Sequence, residues 1–147
     1  MSVRLLDANI LIALAWPAHA RHKAVISWFR GIREEGWATC PFTEAAFVRV
    51  ISNPRMQPYA VAPEAAILLL NTLTGQSGYE FWPDDLPLRI ILERTAKITG
   101  HNQITDAYLL ALARLRGGRL ATLDSGISAL LPRIPGESER LEVVAVE

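Results

Sequence analysis

The sequence predicts a single α/β domain whose central, mainly parallel sheet is flanked by helices. Short apolar runs that are typical of buried strands alternate with segments whose apolar residues recur at helical spacing. This alternation continues along the chain without an internal repeat, a low-complexity segment or a linker. Because strands that alternate with helices form parallel sheets, and because 147 residues suffice for one well-buried core, we treat residues 1–147 as one domain.

The predicted strands are short apolar segments, each bounded by a turn residue or a polar side chain. They are Val3–Leu6, Trp37–Cys40, Tyr79–Trp82, Arg119–Leu123 and Leu141–Val146. Asp7 directly follows the first of these strands, and Asp124 directly follows the fourth.

The predicted helices combine helical spacing with residues that begin or end a helix. Pro17 ends the first helix because proline cannot continue one, and Gly36 and Gly100 supply later stops. Thr43 and Thr105 are predicted N-caps. Helices are expected at Ala8–Trp16, Arg21–Glu35, Thr43 to about Ser52, Pro63–Leu73, Leu86–Ile98 and Asp106–Leu115, with a loop containing Met56, Pro58 and Tyr59 between the third and fourth.

The charge balance excludes one mode of nucleic-acid binding. Fifteen basic side chains oppose fifteen acidic ones, so no global positive field would hold a polyanion non-specifically. Half of the residues are hydrophobic and the mean hydropathy is +0.19, which indicates that a partner covers part of the surface. Trp16, Trp28, Phe29 and Trp37 are candidates for that surface, although we expect at least two of them to pack in the core.

The apolar run Ile10–Trp16 and the small residues after it superficially resemble a signal peptide. We interpret the run as a helix instead, because Asp7 and Asn9 adjoin it and only Arg4 precedes it as a positive charge. No segment approaches the ~20 apolar residues of a membrane span. We therefore expect a cytoplasmic protein with no membrane association. Because Cys40 is the single cysteine and cannot form an internal disulfide, we expect it to be a buried structural thiol.

Four acidic residues follow predicted strands or open predicted helices. Asp7 and Asp124 come directly after strands, whereas Glu44 and Asp106 each follow a threonine that we interpret as an N-cap. The carboxyl ends of parallel strands and the N-termini of helices meet at one edge, so all four belong on the same rim. Singly, each has an ordinary explanation in the helix dipole or a strand end. Together they would repel, by roughly 4 kcal/mol for two carboxylates ~4 Å apart, unless protons or a cation neutralised them.

A cluster that is rich in oxygen and free of sulfur suits Mg²⁺, with Mn²⁺ as an alternative. Zinc is disfavoured, because Cys40 stands alone and the three histidines show no recognised ligand spacing. The residues themselves therefore predict a divalent-cation site.

Four ordered segments carry a family resemblance. They are LLDANILIAL at 5–14, TEAAFVRV at 43–50, ITDAYLLALA at 104–113 and LATLDSG at 120–126. Together they resemble the motifs of PIN-domain ribonucleases, and most closely those of the VapC toxins of type II toxin-antitoxin systems. The resemblance covers essentially the whole chain, and four motifs in the correct order are more specific than any one of them.

This resemblance implies a compact PIN fold and an Mg²⁺-dependent endoribonuclease that hydrolyses RNA with water. It implies a catalytic set of Asp7, Glu44, Asp106 and Asp124, with the metal held chiefly by Asp7 and Asp106. It also implies a homodimer and a VapB-like antitoxin, of which a segment fills a hydrophobic groove and sends a basic side chain into the acidic pocket. Some members carry a further acid after the last aspartate, where this chain has Ser125 and Gly126; this disfavours a second metal site, but the number of metal ions stays open.

Several roles stay open from the sequence. Arg49 and Arg55, on and just past the Glu44 helix, are candidate phosphate contacts, and Asn9 could orient a neighbouring carboxylate. The general base is not assigned. The RNA target is not readable either, because loop shape and a few base contacts decide it.

Three other hypotheses compete with a toxin. The chain could be a PIN nuclease in RNA processing or on structured DNA, outside any toxin-antitoxin pair. It could be a non-catalytic nucleic-acid-binding or regulatory protein, which the complete acidic motifs oppose. A doubly wound phosphoacceptor domain is opposed because Asp84-Asp85 does not follow an N-terminal strand and no suitably placed lysine is apparent.

Overall fold

The computed structural model describes residues 2–56 and 60–144, and its strands form one five-stranded sheet. The strands are β1 (Arg4–Leu6), β2 (Trp37–Thr39), β3 (Tyr79–Phe81), β4 (Arg119–Thr122) and β5 (Leu141–Val143). All neighbouring strands are parallel, in the order β3-β2-β1-β4-β5. The predicted fold class is confirmed. Residues 145–147 of the predicted last strand, and Pro58 and Tyr59 of the predicted loop, lie outside the described residues.

Helices cover both faces of the sheet. The α-helices in the described ranges are α1 (Ala8–Ala15), α2 (His22–Ile32), α3 (Pro41–Ile51), α4 (Pro63–Thr74), α5 (Ile90–Arg94) and α6 (Ile104–Leu115). Short 3₁₀ turns occupy Arg33–Glu35, Pro54–Met56, His101–Gln103, Ser125–Leu130 and Glu137–Arg140. No helix in this part of the chain has the length and apolarity needed to cross a membrane.

Side chains that alternate along the strands build one apolar core on each face. Leu6 of β1 and Ala121 of β4 pack in the core that includes α1, α2, α3 and α4. Leu5 and Leu120, their neighbours in sequence, pack in the core that includes α5 and α6. All four are fully buried, which explains why these strands are continuously apolar in sequence.

Two predicted N-caps are wrong, although the helices exist. Helix α3 begins at Pro41, where proline is tolerated because the first helical position needs no amide donor. The hydroxyl of Thr43 accepts a hydrogen bond from the Cys40 backbone nitrogen at 3.1 Å, so Thr43 is the third helical residue and not the cap. Helix α6 begins at Ile104 and continues a 3₁₀ turn, so Thr105 is its second residue. Both helices therefore start earlier than predicted.

The helix predicted over Leu86–Ile98 is also largely wrong, because only Ile90–Arg94 is α-helical. The backbone becomes extended at Thr95, and the Ala96 nitrogen then donates to the Leu130 carbonyl at 2.8 Å. This tertiary hydrogen bond draws the segment away from the helical path that its apolar spacing favoured. Periodicity alone could not reveal a partner so distant in sequence.

The strand order places a crevice at the centre of the sheet. The chain runs outward from β1 through β2 to β3, then crosses to the other side of β1 to form β4 and β5. The order therefore reverses between β1 and β4. In open parallel sheets, ligands bind beyond the carboxyl ends of the strands at such a switch point.

An ion-pair network closes the opposite, amino end of the sheet. The buried Arg4 donates from Nε to Glu142 at 2.6 Å and from Nη1 to Glu35 at 3.3 Å. The indole of Trp28 donates to the other Glu142 oxygen at 2.7 Å. These contacts link β1, β5 and α2, so this end of the sheet has a structural explanation.

The turn before β3 generates a stability prediction. Gly78 has a φ of +83°, and a Cβ there would overlap the carbonyl oxygen of Arg33. Gly78→Ala should therefore lower the free energy of unfolding by about 1–3 kcal/mol, as measured by chemical denaturation. Gly31→Ala is the matched control, because Gly31 lies in α2 with open space around it. This variant should raise the free energy of unfolding by about 0.5–1 kcal/mol. Equal stability of Gly78→Ala and the wild type would contradict the described turn.

Candidate active site

Asp7 leaves the carboxyl end of β1 and caps α1. Its Oδ1 accepts a hydrogen bond from the Ala8 nitrogen at 2.8 Å, and its Oδ2 accepts one from the Thr122 hydroxyl at 2.8 Å. An extended aspartate is a good N-cap, so the helix begins at once and holds the carboxylate at the switch point. The pKa of Asp7 is raised overall. Burial is the main cause and repulsion from Asp124 adds to it, whereas the hydrogen bonds from Thr122 and Ala8 oppose the rise.

Thr122, the last residue of β4, connects Asp7 to its neighbours. The threonine is fully buried, and its hydroxyl oxygen lies 3.1 Å from both Asn9 Nδ2 and the Asp124 nitrogen. Asn9 Oδ1 accepts from the Leu123 nitrogen at 3.1 Å. Asn9 therefore acts on Asp7 through Thr122 and not by direct contact. Nothing in the sequence singled out Thr122 except its place two residues before Asp124.

Asp106 approaches the same site from the other face of the sheet, in the first turn of α6. Asp124 is exposed just past β4 and accepts a hydrogen bond from the Gly126 nitrogen at 2.8 Å. Burial, with repulsion from Asp7 and Asp124, raises the pKa of Asp106 from 3.8 to about 6. The structure thus brings three of the four predicted acids into electrostatic contact.

Glu44 has a different set of partners. Thr39 Oγ1, at the end of β2, donates to Glu44 Oε2 at 2.6 Å. The Tyr79 hydroxyl lies 2.7 Å from Thr39 Oγ1 and 3.4 Å from Glu44 Oε2. Glu44 is not among the charges that raise the pKa of Asp106. It is therefore held at the carboxyl end of the strand beside β1, and its membership of one shared metal pocket stays a prediction.

The acidic cluster fits a hard cation that keeps ligands of its own. Across residues 2–56 and 60–144, no group of three or more His, Cys, Asp or Glu side chains could hold a metal by itself. Mg²⁺, however, is commonly bound by one or two carboxylates, with waters and substrate phosphates completing its shell. A cation would also relieve the repulsion between Asp7 and Asp106. These two residues are therefore the best candidates to hold it.

The predicted phosphate contacts lie on the Glu44 side of the site. Arg49 lines a groove between α3 and α4 together with Glu44, Ile67 and Leu70. Arg55 is exposed in the 3₁₀ turn after α3. Neither arginine forms a salt bridge within the described residues. Arg49 therefore supplies an uncompensated positive charge beside a predicted catalytic acid.

The aromatic residues divide between core and surface. Phe29 and Trp37 are buried in the core, which confirms that at least two of the four pack inside. Trp16 instead lines an apolar pocket of about 200 Å³ whose other lining residues are Ala15, Ile51, Met56, Val61 and Leu69. The pocket beside Trp16 is a surface that a partner could cover.

Cys40 is buried, as predicted, and burial raises the pKa of its thiol.

The fold and the site together define the class of protein: an α/β protein with a parallel sheet and a cluster of carboxylates at its switch point. A family model described as the PIN domain matches residues 4–130 of the chain. The chain therefore belongs to the PIN-domain family.

Curated relatives narrow the resemblance to the VapC proteins. Ribonuclease VapC39 of Mycobacterium tuberculosis strain H37Rv is 44% identical over 126 residues, which cover 84% of this chain and 90% of that protein. Ribonuclease VapC38 of the same strain is 44% identical over 131 residues, which cover 89% and 92%. The predicted similarity to VapC toxins is confirmed.

Solved structures show the same fold. The crystal structure of VapBC2 from Rickettsia felis bound to a promoter DNA fragment matches with a TM-score of 0.61 and 18% identity, over 95% of this chain and 97% of that one. Mycobacterium tuberculosis VapC20, described as a sarcin-ricin loop cleaving toxin, matches with a TM-score of 0.58 and 14% identity, over 86% and 93%.

The raised pKa of Asp106 predicts how metal-free stability varies with pH. The folded chain binds a proton at Asp106 with a pKa of about 6, against an ordinary value of 3.8. The unfolded chain therefore ionises first, and the folded state loses relative stability as the pH rises between these two values. Asp106→Asn removes this loss. In urea unfolding with EDTA, the variant should be more stable than the wild type at about pH 8 and should approach it near about pH 4.

A difference between Asp106→Asn and the wild type that stays constant over this pH range would contradict the prediction. Glu64→Gln is the matched control, since Glu64 is an exposed acid in the first turn of α4. Glu64→Gln should show no gain in stability at about pH 8, because the helix dipole favours an acid in the first turn.

Proposed function

We propose that the chain is a metal-dependent endoribonuclease and the toxin of a VapBC-type pair. The observation that carries this proposal is the electrostatic coupling of Asp7, Asp106 and Asp124 at the switch point of a PIN fold. The 44% identity to proteins named as ribonucleases supports RNA as the substrate. Asp7 and Asp106 would hold Mg²⁺, or Mn²⁺ in its place.

The mechanism divides work among the chain's own side chains. Bound Mg²⁺ would neutralise charge on the scissile phosphate and acidify a water. Asp7, with Oδ2 fixed by Thr122, presents a pre-oriented carboxylate, and Asp106 holds a proton near pH 6 whenever no cation offsets its neighbours. Asp124, exposed at the rim, can accept a hydrogen bond from the attacking water. Glu44, which is held by Thr39, can accept the same hydrogen bond from the β2 side of the site.

The substrate must be recognised locally, because the chain has no net charge. Arg49 is the best-placed cation, since it shares a groove with Glu44 and has no salt bridge in the described residues. A phosphate flanking the scissile bond could contact its guanidinium. The exposed apolar side chain of Ile67 in the same groove would suit an unstacked base.

A VapB-like antitoxin is the proposed partner, and a homodimer the proposed assembly. The pocket lined by Trp16, Ile51 and Leu69 is apolar and lies between α1, α3 and α4. An amphipathic segment of an antitoxin would bury apolar side chains in such a pocket. Away from this pocket, the exposed Leu88 and Leu92 supply apolar surface for a second copy to cover.

Cleavage of total cellular RNA by purified, antitoxin-free protein tests the activity. We expect discrete cuts with Mg²⁺, none with EDTA, and a rate at least about a hundredfold lower for Asp106→Asn, since a carboxylate that holds the cation supports several kcal/mol of charge stabilisation. Glu64→Gln, which changes an exposed acid in the first turn of α4, should cut like the wild type. Intact RNA in every lane, with folding and metal binding verified, would refute the proposed activity.

The proposed antitoxin contact is tested by two substitutions in one helix. Leu69→Glu places a charge in the apolar pocket and should weaken antitoxin binding at least about tenfold, measured by calorimetry with the co-encoded partner. Leu68→Glu is the control, because Leu68 is 66% exposed and does not line the pocket. Equal affinities for both variants would assign the antitoxin to another surface.

A further inference from the structure

We infer that Thr122 is a positioning residue, which holds Asp7 in the orientation that binds the cation. This inference deepens the proposed function and rests on it. Thr122 carries no charge and is fully buried, so it would not touch RNA. Its importance lies in the direction of its single hydroxyl proton.

The contacts of the Thr122 hydroxyl determine where that proton points. A hydroxyl has one proton to donate and two lone pairs to accept with. Two of its three neighbours are donors, namely the Asp124 backbone nitrogen and the Asn9 side-chain nitrogen, each 3.1 Å away. These two occupy the lone pairs. The proton is therefore directed to the third neighbour, Asp7 Oδ2, at 2.8 Å.

The orientation of Asn9 is fixed independently of Thr122. The Leu123 nitrogen donates to Asn9 Oδ1 at 3.1 Å, so the oxygen of the amide must face β4. The amide nitrogen is then left to donate to Thr122. The chain of donation runs from Asn9 to Thr122 to Asp7 in one direction only, because the reverse direction would leave two donors facing each other.

This arrangement acts on Asp7 in two ways. With the Ala8 nitrogen on Oδ1 and Thr122 on Oδ2, both carboxylate oxygens are fixed, so the plane of the carboxylate cannot rotate freely. Both contacts are also donors, which stabilises the ionised form that a cation requires. Because the Thr122 hydroxyl contacts both Asp7 Oδ2 and the Asp124 nitrogen, it links the residues that follow β1 and β4.

Thr95 offers a control for the loss of a threonine hydroxyl. It lies at the end of α5, and its hydroxyl donates to the Ile91 carbonyl at 2.7 Å and not to an acid of the site. Replacing either threonine by valine removes a hydroxyl at nearly constant shape, but only Thr122→Val removes the donor to Asp7 Oδ2. Thr39 is unsuitable as a control because it donates to Glu44, whose membership of the metal pocket is itself a prediction.

The test measures binding of Mn²⁺ alone by calorimetry, with the thermal midpoint in EDTA as a check of folding. We expect Thr122→Val to raise the Mn²⁺ dissociation constant by about tenfold or more, as for other residues that orient a metal ligand. Thr122→Ser, which restores the donor, should recover most of the affinity. Thr95→Val should bind Mn²⁺ like the wild type.

Three results would overturn the inference: wild-type affinity in folded Thr122→Val, no recovery in Thr122→Ser, or an equal loss in Thr95→Val. The Mn²⁺ measurement does not depend on RNA cleavage. If the wild-type protein binds Mn²⁺ but leaves all RNA intact, the proposed function fails while the role of Thr122 is still decided. If cleavage is observed, Thr122→Val should lower it at limiting Mg²⁺ more than at saturating Mg²⁺.

Discussion

Repulsion among three carboxylates is the constraint around which the site is built. Apolar packing on both faces of the sheet sets β1 beside β4 and brings α6 to the same edge, so Asp7, Asp124 and Asp106 cannot move apart without disrupting a core. The cost appears in the pKa of Asp106, which burial and its two neighbours raise to about 6. The apolar cores must offset this cost in the metal-free chain, because folding leaves only a small net free energy.

Hydrogen-bond donors reach two of these three carboxylates and not the third. Asp7 accepts from Thr122 and Ala8, and Asp124 accepts from the Gly126 nitrogen. At Asp7 the two donors favour the ionised form and oppose the effect of its burial. Within the described residues the Asp106 carboxylate accepts no hydrogen bond, so nothing offsets its burial and the repulsion it feels. Asp106 is consequently the carboxylate that most readily keeps a proton when no cation is bound.

The sequence was sufficient for the parallel sheet and for the edge at which the acids lie, because alternation and chain order are local signals. It was insufficient for helix ends. Helices α3 and α6 begin before Thr43 and Thr105, at Pro41 and after a 3₁₀ turn, and the extent of α5 depends on a distant hydrogen bond from Ala96 to Leu130. It also missed the residues that hold the acids. Thr122 is 115 residues from Asp7 along the chain and Tyr79 is 35 from Glu44, so only the assembled sheet relates them.

The same electrostatics connect catalysis with regulation. A proton, a divalent cation and the basic side chain of a bound partner would each neutralise the Asp7, Asp106 and Asp124 cluster, so they compete for one position. A phosphodiester adds further negative charge, and a chain of zero net charge offers no long-range attraction to offset it. On the proposed function, the cation is therefore needed for the substrate to approach as well as for hydrolysis. A partner that placed a basic side chain in this position would relieve the same repulsion and stabilise the folded chain, but it would exclude the cation that acidifies the water and so prevent hydrolysis.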